Sequence, residues 1–357
     1  MVRHLFACVL LASCAQSIEE VEPEPSAFRP KVAKPADCEE FICGNTNSPE
    51  IDNLGLHELN LSYPNYEPEP RHHFQIASFT RYGDEYIPQL IGGVLTGINI
   101  HDPNDVIAGP TLVGARFLVT SDLTTTKYVI QIESIGHVPY WAQTNGAQTP
   151  YYTLTWKTVE AGETAWKNIC KAPPKVKGLD TLGMETMSVV LFEGDRLDVK
   201  TKSVVGVDKM WMNIGCAGHA VSKLHMTAHS EGAQVATGLT TTREERTAML
   251  KMFVADYCGD GHAFTVAGQP LSWVDDHNWL SLWPGWSYEI EARWTDGGAT
   301  CLNTPRVLEN PSPEADALFP DLKSAISDAC GGQLPPACAG TFTDFDKAHL
   351  ISANPLL

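Results

Sequence analysis

From about residue 74 to 210 the hydrophobic and polar positions alternate as they do in half-buried strands. Residues 74–79, 94–100 and 127–133 place apolar side chains at every second position, and residues 151–156 and 187–192 add two more strand-like runs. Gly92-Gly93, Asp102-Pro103-Asn104, Asn145-Gly146 and Gly194-Asp195 punctuate them as turns. Short strands at this spacing predict an antiparallel sandwich or barrel. From residue 211 the pattern changes. Residues 215–225 suit a short helix of small residues. Thr241-Thr242-Arg243-Glu244 reads as a capping box opening a stronger helix, with Met249, Met252 and Phe253 on one side and Gly259 as its stop. A hairpin of 264–266 with 269–273, an alternating strand over 288–294 and a last helix over 313–329 are expected to follow. The predicted fold class is α+β and β-rich: an antiparallel β-sandwich or barrel-like part, then a disulfide-stapled helix-and-hairpin part. No internal repeat is present.

The N-terminus carries a different signal. Arg3 precedes an apolar run far shorter than the ~20 residues a membrane-spanning helix needs, which fits a secretory leader. Leu11-Ala12-Ser13-Cys14 has the form of a lipobox, cleaved before a cysteine that is then acylated. An ordinary leader with an incidental cysteine is the alternative. Several acyl chains on Cys14 would anchor the protein firmly, since one alone is marginal. Ala15, not Asp, follows the cysteine, which points to the outer membrane. Glu19-Glu20-Val21-Glu22-Pro23-Glu24-Pro25 is acidic and proline-rich, hence extended and solvated. The expected organisation is a lipoprotein signal peptide over 1–13, a tether over 14–40, a β-rich region over 41–210, the helix-and-hairpin region over 211–340 and a C-terminal tail over 341–357.

Composition narrows the function classes. The chain has 357 residues, 43% hydrophobic, and a formal charge of −18. That much apolar surface excludes bulk disorder, and the acidic balance argues against nucleic acid as a partner. Eight cysteines lie beyond Cys14: Cys38, Cys43, Cys170, Cys216, Cys258, Cys301, Cys330 and Cys338. An even number in an exported chain reads as disulfides, and no Cys-x-x-Cys pair suggests zinc or redox chemistry. Proximity favours Cys38–Cys43 and Cys330–Cys338. The other four allow three connectivities, of which Cys170–Cys216 with Cys258–Cys301 is favoured.

Ala255-Asp256-Tyr257-Cys258-Gly259-Asp260-Gly261 resembles the signature of the ADYC-domain family of bacterial envelope lipoproteins. Residues 216–223, 264–270 and 292–301 resemble its flanking segments, and 43–49 and 57–60 its lead-in. The resemblance is strongest over 211–306 and implies export in Gram-negative bacteria, with no established activity. Many members carry two further cysteines where this chain has Leu224 and Met249. A disulfide replaced by an apolar contact is implied, with the two helices packed together.

The candidate chemistry has competing readings. Cys258 beside Asp256 and His262 resembles an activated nucleophile, but a thiol at a helix C-terminus faces the wrong end of the dipole, and a structural disulfide is the favoured reading. His225 and His229, four residues apart, with His219, Asp260 and His262 nearby, suggest a zinc site for metal-assisted hydrolysis, against histidines that merely pack. His57-Glu58 begins a His-Glu-x-x-His pattern but meets Leu61. Asp102, Asn104 and Asp105 read as a turn rather than a calcium loop. No nucleophile elbow or phosphate-binding glycine loop occurs, and no cofactor is implied. Trp273 and Trp294 fall in strand-like segments. Trp279, Trp283 and Trp286 lie in a loop with Asp275, Asp276 and His277, the best surface for a glycan or an envelope protein. The leading expectation is a non-enzymatic envelope protein; a hydrolase or a structural spacer are the alternatives.

Overall fold

The computed structural model describes residues 49–52, 54–62, 73–142, 144–160, 165–170, 187–265, 271–282, 284–309 and 321–356. The leader, Cys14, the tether, Cys38, Cys43 and Trp283 lie outside the described residues.

Antiparallel strands dominate, as the alternation predicts. The larger sheet begins at Glu58–Asn60 and runs through Ser203–Cys216, Val189–Asp198, Gln148–Thr158, Lys127–Pro139, Arg116–Ser121, Phe74–Arg81, Asp84–Ile91, Val94–Asn99 and Val106–Ala108, with Lys167–Asn168 paired beside Gln148–Thr158. It folds over on itself. The Gly92 and Gly93 amides, at the turn of the 84–99 hairpin, donate to the Glu193 carboxylate at 2.6 and 3.3 Å. Leu95 N donates to the Tyr152 hydroxyl at 3.0 Å. One apolar cluster therefore joins Leu90 and Leu95 to Phe117, Ile130, Leu191 and Ile214. Asp102, Asn104 and Asp105 form a turn: Asp102 Oδ1 accepts from Asn104 N and Asp105 N donates to Asp102 O.

A second sheet has four strands in the order Ser272–Asp275, Leu350–Pro355, Tyr288–Thr295 and Gly298–Leu302. Residues 341–357, expected to be a tail, thus carry a strand flanked on both sides. Pro355 is tolerated because it ends the strand. Of the expected 264–273 hairpin, residues 266–270 lie outside the described residues, and Ser272–Asp275 pairs with Leu350–Pro355. Ser203–Cys216 also runs unbroken through residue 210, so the larger sheet crosses the expected boundary.

Three helices follow that strand: α1 (Ala220–Met226), α2 (Glu231–Thr237) and α3 (Arg243–Val254). Every residue of α3 from Glu245 to Val254 is buried, because the helix packs against Ser203–Cys216 on one side and the second sheet on the other. A helix covered on all sides has no polar stripe, so its charges pair internally: Arg246 Nε with Asp195 at 2.8 Å and Lys251 Nζ with Asp256 at 3.0 Å. Its capping box is Thr242 with Glu245, one residue later than the sequence suggests. Thr241 is otherwise engaged, its hydroxyl donating to His229 O at 2.6 Å. Helices α1 and α3 pack together, and Leu224 and Met249 are fully buried in one cluster, as the missing cysteine pair implies. Two further helices are α4 (Arg306–Glu309) and α5 (Leu322–Ala329).

Three disulfides staple the described residues: Cys170–Cys216, Cys258–Cys330 and Cys301–Cys338. The first is the favoured pairing. The other two correct the expected Cys258–Cys301 and Cys330–Cys338 bonds. Cys258 leaves α3 facing α5, at whose end Cys330 lies. The chain then runs back along the edge strand, where Leu302 N donates to Pro336 O at 2.8 Å, and this brings Cys338 to Cys301.

Candidate functional site

The Ala-Asp-Tyr-Cys motif lies where α3 meets both sheets, and each of its residues is engaged internally. Ala255 ends α3 in the left-handed conformation at φ 56°. Asp256, fully buried, accepts from Lys251 Nζ at 3.0 Å and Gly261 N at 2.9 Å. Burial pushes its carboxyl above the ordinary aspartate value, while Lys251 opposes that rise. Lys251 Nζ also donates to the Thr201 and Gly259 carbonyls at 2.9 and 2.8 Å, so all three ammonium protons have acceptors. The Tyr257 hydroxyl donates to Glu291 at 2.6 Å. Cys258 is bonded to Cys330 and offers no thiolate. The two glycines that follow are steric requirements. A Cβ on Gly259 would lie 2.0 Å from the Gly297 carbonyl oxygen, and one on Gly261 2.0 Å from that of Lys200.

The histidines singled out by spacing do not assemble. His225 is buried, with Nε2 2.9 Å from the Thr149 hydroxyl and Nδ1 2.8 Å from that of Ser230, and its ring stacks on Phe192. Burial pushes it down to about 3, so it is a neutral packing residue. His229 donates from Nδ1 to Thr227 O at 2.7 Å. His219 caps α1, accepting from Val221 N. His262 is exposed and paired with Asp260. Glu58, of the His57-Glu58 pair, accepts from Arg196 Nε at 3.1 Å and Leu197 N at 2.5 Å. Trp294 is core, its Nε1 donating to Ser352, and Trp273 packs edge-on against Phe253.

A different set converges at the surface. Among the described residues, one group offers three metal-type donor atoms all within 4.8 Å of one another: Glu245, Asp276 and His349. Glu245 is at the third position of α3, where the capping box fixes it: Oε2 accepts from Thr242 N, leaving Oε1 to face outward. Asp276 follows the Ser272–Asp275 strand and His349 precedes Leu350–Pro355, and Asp276 N donates to His349 O at 3.1 Å. His349 Nδ1 is 3.6 Å from Asp276 Oδ2 and 3.9 Å from Glu245 Oε1. His277 joins from the other side, Nε2 3.2 Å from Glu245 Oε1 and 3.7 Å from Asp276 Oδ1. The neighbouring carboxylates of Asp276 and Glu245 raise His349 above the ordinary histidine value even against partial burial. The arrangement therefore favours positive charge.

The aromatic loop is built against this cluster. Buried Asp275 accepts from Trp279 N at 2.8 Å and Leu280 N at 3.0 Å, which turns the loop, and burial pushes Asp275 up to about 6. Trp279 stacks on His277 at 4.3 Å, and His229 meets Trp279 edge-on at 5.2 Å. Trp286 is half-buried. The sequence marks Asp276, His277 and Trp279 as one loop. It gives no sign of Glu245 or His349, which lie 31 and 73 positions from Asp276.

The class defined by this geometry is a β-rich, disulfide-stapled α+β protein whose Ala-Asp-Tyr-Cys turn locks a buried helix between two antiparallel sheets. The ADYC domain model matches residues 109–308, more than half of the 357 residues, and the chain belongs to the ADYC-domain family. No curated protein and no solved structure matches it. The match includes Glu245, Asp276 and His277 and stops short of His349.

Proposed function

We propose that this is a lipid-anchored protein of the bacterial cell envelope, held at Cys14 in the outer membrane, with a non-enzymatic binding role. One observation carries the binding reading. Asp256 Oδ2, the Tyr257 hydroxyl and the Cys258 sulfur of the Ala-Asp-Tyr-Cys motif are committed to internal bonds and Asp256 is buried, which supports a scaffold role for the motif. The convergent polar and aromatic side chains lie instead on the surface around Asp276, His277, Trp279 and His349. Its partner is a glycan or an envelope protein. Three disulfides suit an oxidising compartment, and the sequence at Leu11-Ala12-Ser13-Cys14 supports the anchor. Among the described residues no helix is long and apolar enough to cross a membrane.

Two measurements test this reading. Expressed in a Gram-negative host with labelled palmitate, the full chain is expected to take up label and fractionate with membranes, and Cys14→Ala to lose both properties. Label retained by Cys14→Ala would overturn the anchor. Envelope glycan preparations are expected to retain the full chain and to bind Trp286→Ala at least about tenfold less, as for an aromatic binding anchor. Equal retention of both would remove this loop from the reading.

A further inference from the structure

We propose that Glu245, Asp276 and His349 bind a divalent first-row transition cation, zinc being the best match, and that His277 orients the Glu245 carboxylate beside it. The proposal rests on the preceding reading only in placing function at this surface. Ion binding requires neither the lipid nor a macromolecular partner.

Three observations carry it. The first is donor chemistry. Two carboxylates with an imidazole nitrogen suit zinc and its neighbours; calcium and magnesium favour all-oxygen sites. The second is spacing. Zinc bonds of about 2.0–2.2 Å set tetrahedral donors roughly 3.3–3.6 Å apart. His349 Nδ1 lies 3.6 Å from Asp276 Oδ2, within that range, and 3.9 Å from Glu245 Oε1, a few tenths beyond it. Three protein donors leave a fourth position open to water or a ligand. The third is an unsatisfied nitrogen. His277 Nε2 is shielded from solvent and has no hydrogen-bond partner among the described residues, although Glu245 Oε1 is only 3.2 Å away. A ring nitrogen this close to a donor oxygen is placed to hold that carboxylate in position beside an ion.

The donors are also firmly placed. Glu245 is fixed by its cap to Thr242. His349 N donates to Trp294 O at 2.9 Å. Asp276 is tied to the same strand, and His277 is clamped against Trp279. A site assembled from α3 and the residues flanking two strands of one sheet loses little freedom on binding an ion. The side chains of Glu245, Asp276, His277 and His349 are 11, 33, 31 and 26% exposed. That leaves an entry path from solvent.

The test uses the full chain from an exporting host, stripped of metal with a chelator and dialysed. Cobalt(II) is expected to give the intense visible absorption of a low-coordinate N/O site. Zinc titration is expected to show one ion per chain and to bleach that absorption. His349→Ala should weaken zinc by about 100-fold or more, as loss of a ligand. His277→Ala should keep the cobalt spectrum while weakening zinc by roughly 10–100-fold, as for a residue that orients a ligand. His262→Ala, on exposed and separate ground, should bind as the wild type does. Circular dichroism checks the fold, and Asp276→Asn is a second ligand variant at a partly exposed position. Absence of stoichiometric binding by the wild type would overturn the proposal, as would wild-type affinity in both His349→Ala and Asp276→Asn. Failure of palmitate labelling or glycan retention would leave these readouts untouched.

Discussion

Replacing Arg306 with methionine is expected to destabilise the protein by about 3–5 kcal/mol, the cost of removing one partner of a buried ion pair. Glu291 and Arg306 are both fully buried. Arg306 Nη2 lies 2.7 Å from Glu291 Oε2, while Nε and the backbone N donate to Oε1 at 2.7 and 2.9 Å. Tyr257, from the family motif, donates to the same oxygen at 2.6 Å. Burial alone would raise the Glu291 carboxyl, yet Arg306 and these hydrogen bonds hold it below the ordinary glutamate value. Without the guanidinium the carboxylate keeps its desolvation and loses its counter-charge. Urea unfolding measures the effect. Arg306→Met should unfold at clearly lower urea, Tyr257→Phe should lose about 1.5–3 kcal/mol, and Glu291→Met with Arg306→Met together should recover much of the loss. Arg306→Met within about 1 kcal/mol of wild type, well under the cost of stranding a buried charge, would refute the assignment.

Acid is the second large perturbation. His57, His225 and His229 are buried and pushed down by that burial to about 4, 3 and 4. An unfolded histidine titrates near 6.5. Below that pH the unfolded chain takes up protons that the folded one refuses, so stability falls as pH drops towards the folded values. Asp195 and Asp275 act in the opposite sense. Burial pushes both up to about 6, so between about 6 and 4 the folded chain binds their protons first. His219 is pushed down to about 3 as well, so the lowered histidines outnumber the raised aspartates and a net loss of stability is expected between about pH 6.5 and 4. Urea midpoints at pH 7 and pH 4.5 test it, and His225→Gln should flatten the dependence. Equal midpoints at the two pH values would refute the expectation that the histidines outweigh the aspartates.

Local signals make much of the fold legible, and long-range pairing sets the limit. Period-two alternation marks strands such as Lys127–Pro139 because one face is buried. Helix α3 is visible from its apolar positions and cap, although Thr241's bond to His229 O moves the cap by one residue. Proximity along the chain is a poor guide to the disulfides, because Cys330 and Cys338 stand at opposite ends of an extended run and reach different elements. Leu350–Pro355 is short and holds Ser, Asn and Pro, so its sequence resembles a tail. A strand invisible in the sequence also hides His349, and with it the donor group around Asp276. The motif itself is legible as structural. A cysteine at a helix C-terminus in an exported chain points to a disulfide and an aspartate there to local backbone bonding, and Cys258 and Asp256 take those roles.

The position of Leu350–Pro355 has a consequence for biogenesis. A chain emerging from a ribosome or a translocation channel delivers its strands in order. Tyr288–Thr295 and Ser272–Asp275 come out with the space between them empty, and only the arrival of residue 355 fills it. Until then α3 has a complete sheet on one side only. The segment matched by the family model ends at residue 308 and so lacks the strand that joins the two halves of the second sheet. This half of the molecule closes only once Leu350–Pro355 is available, and chains halted before that strand are expected to be more open to proteolysis.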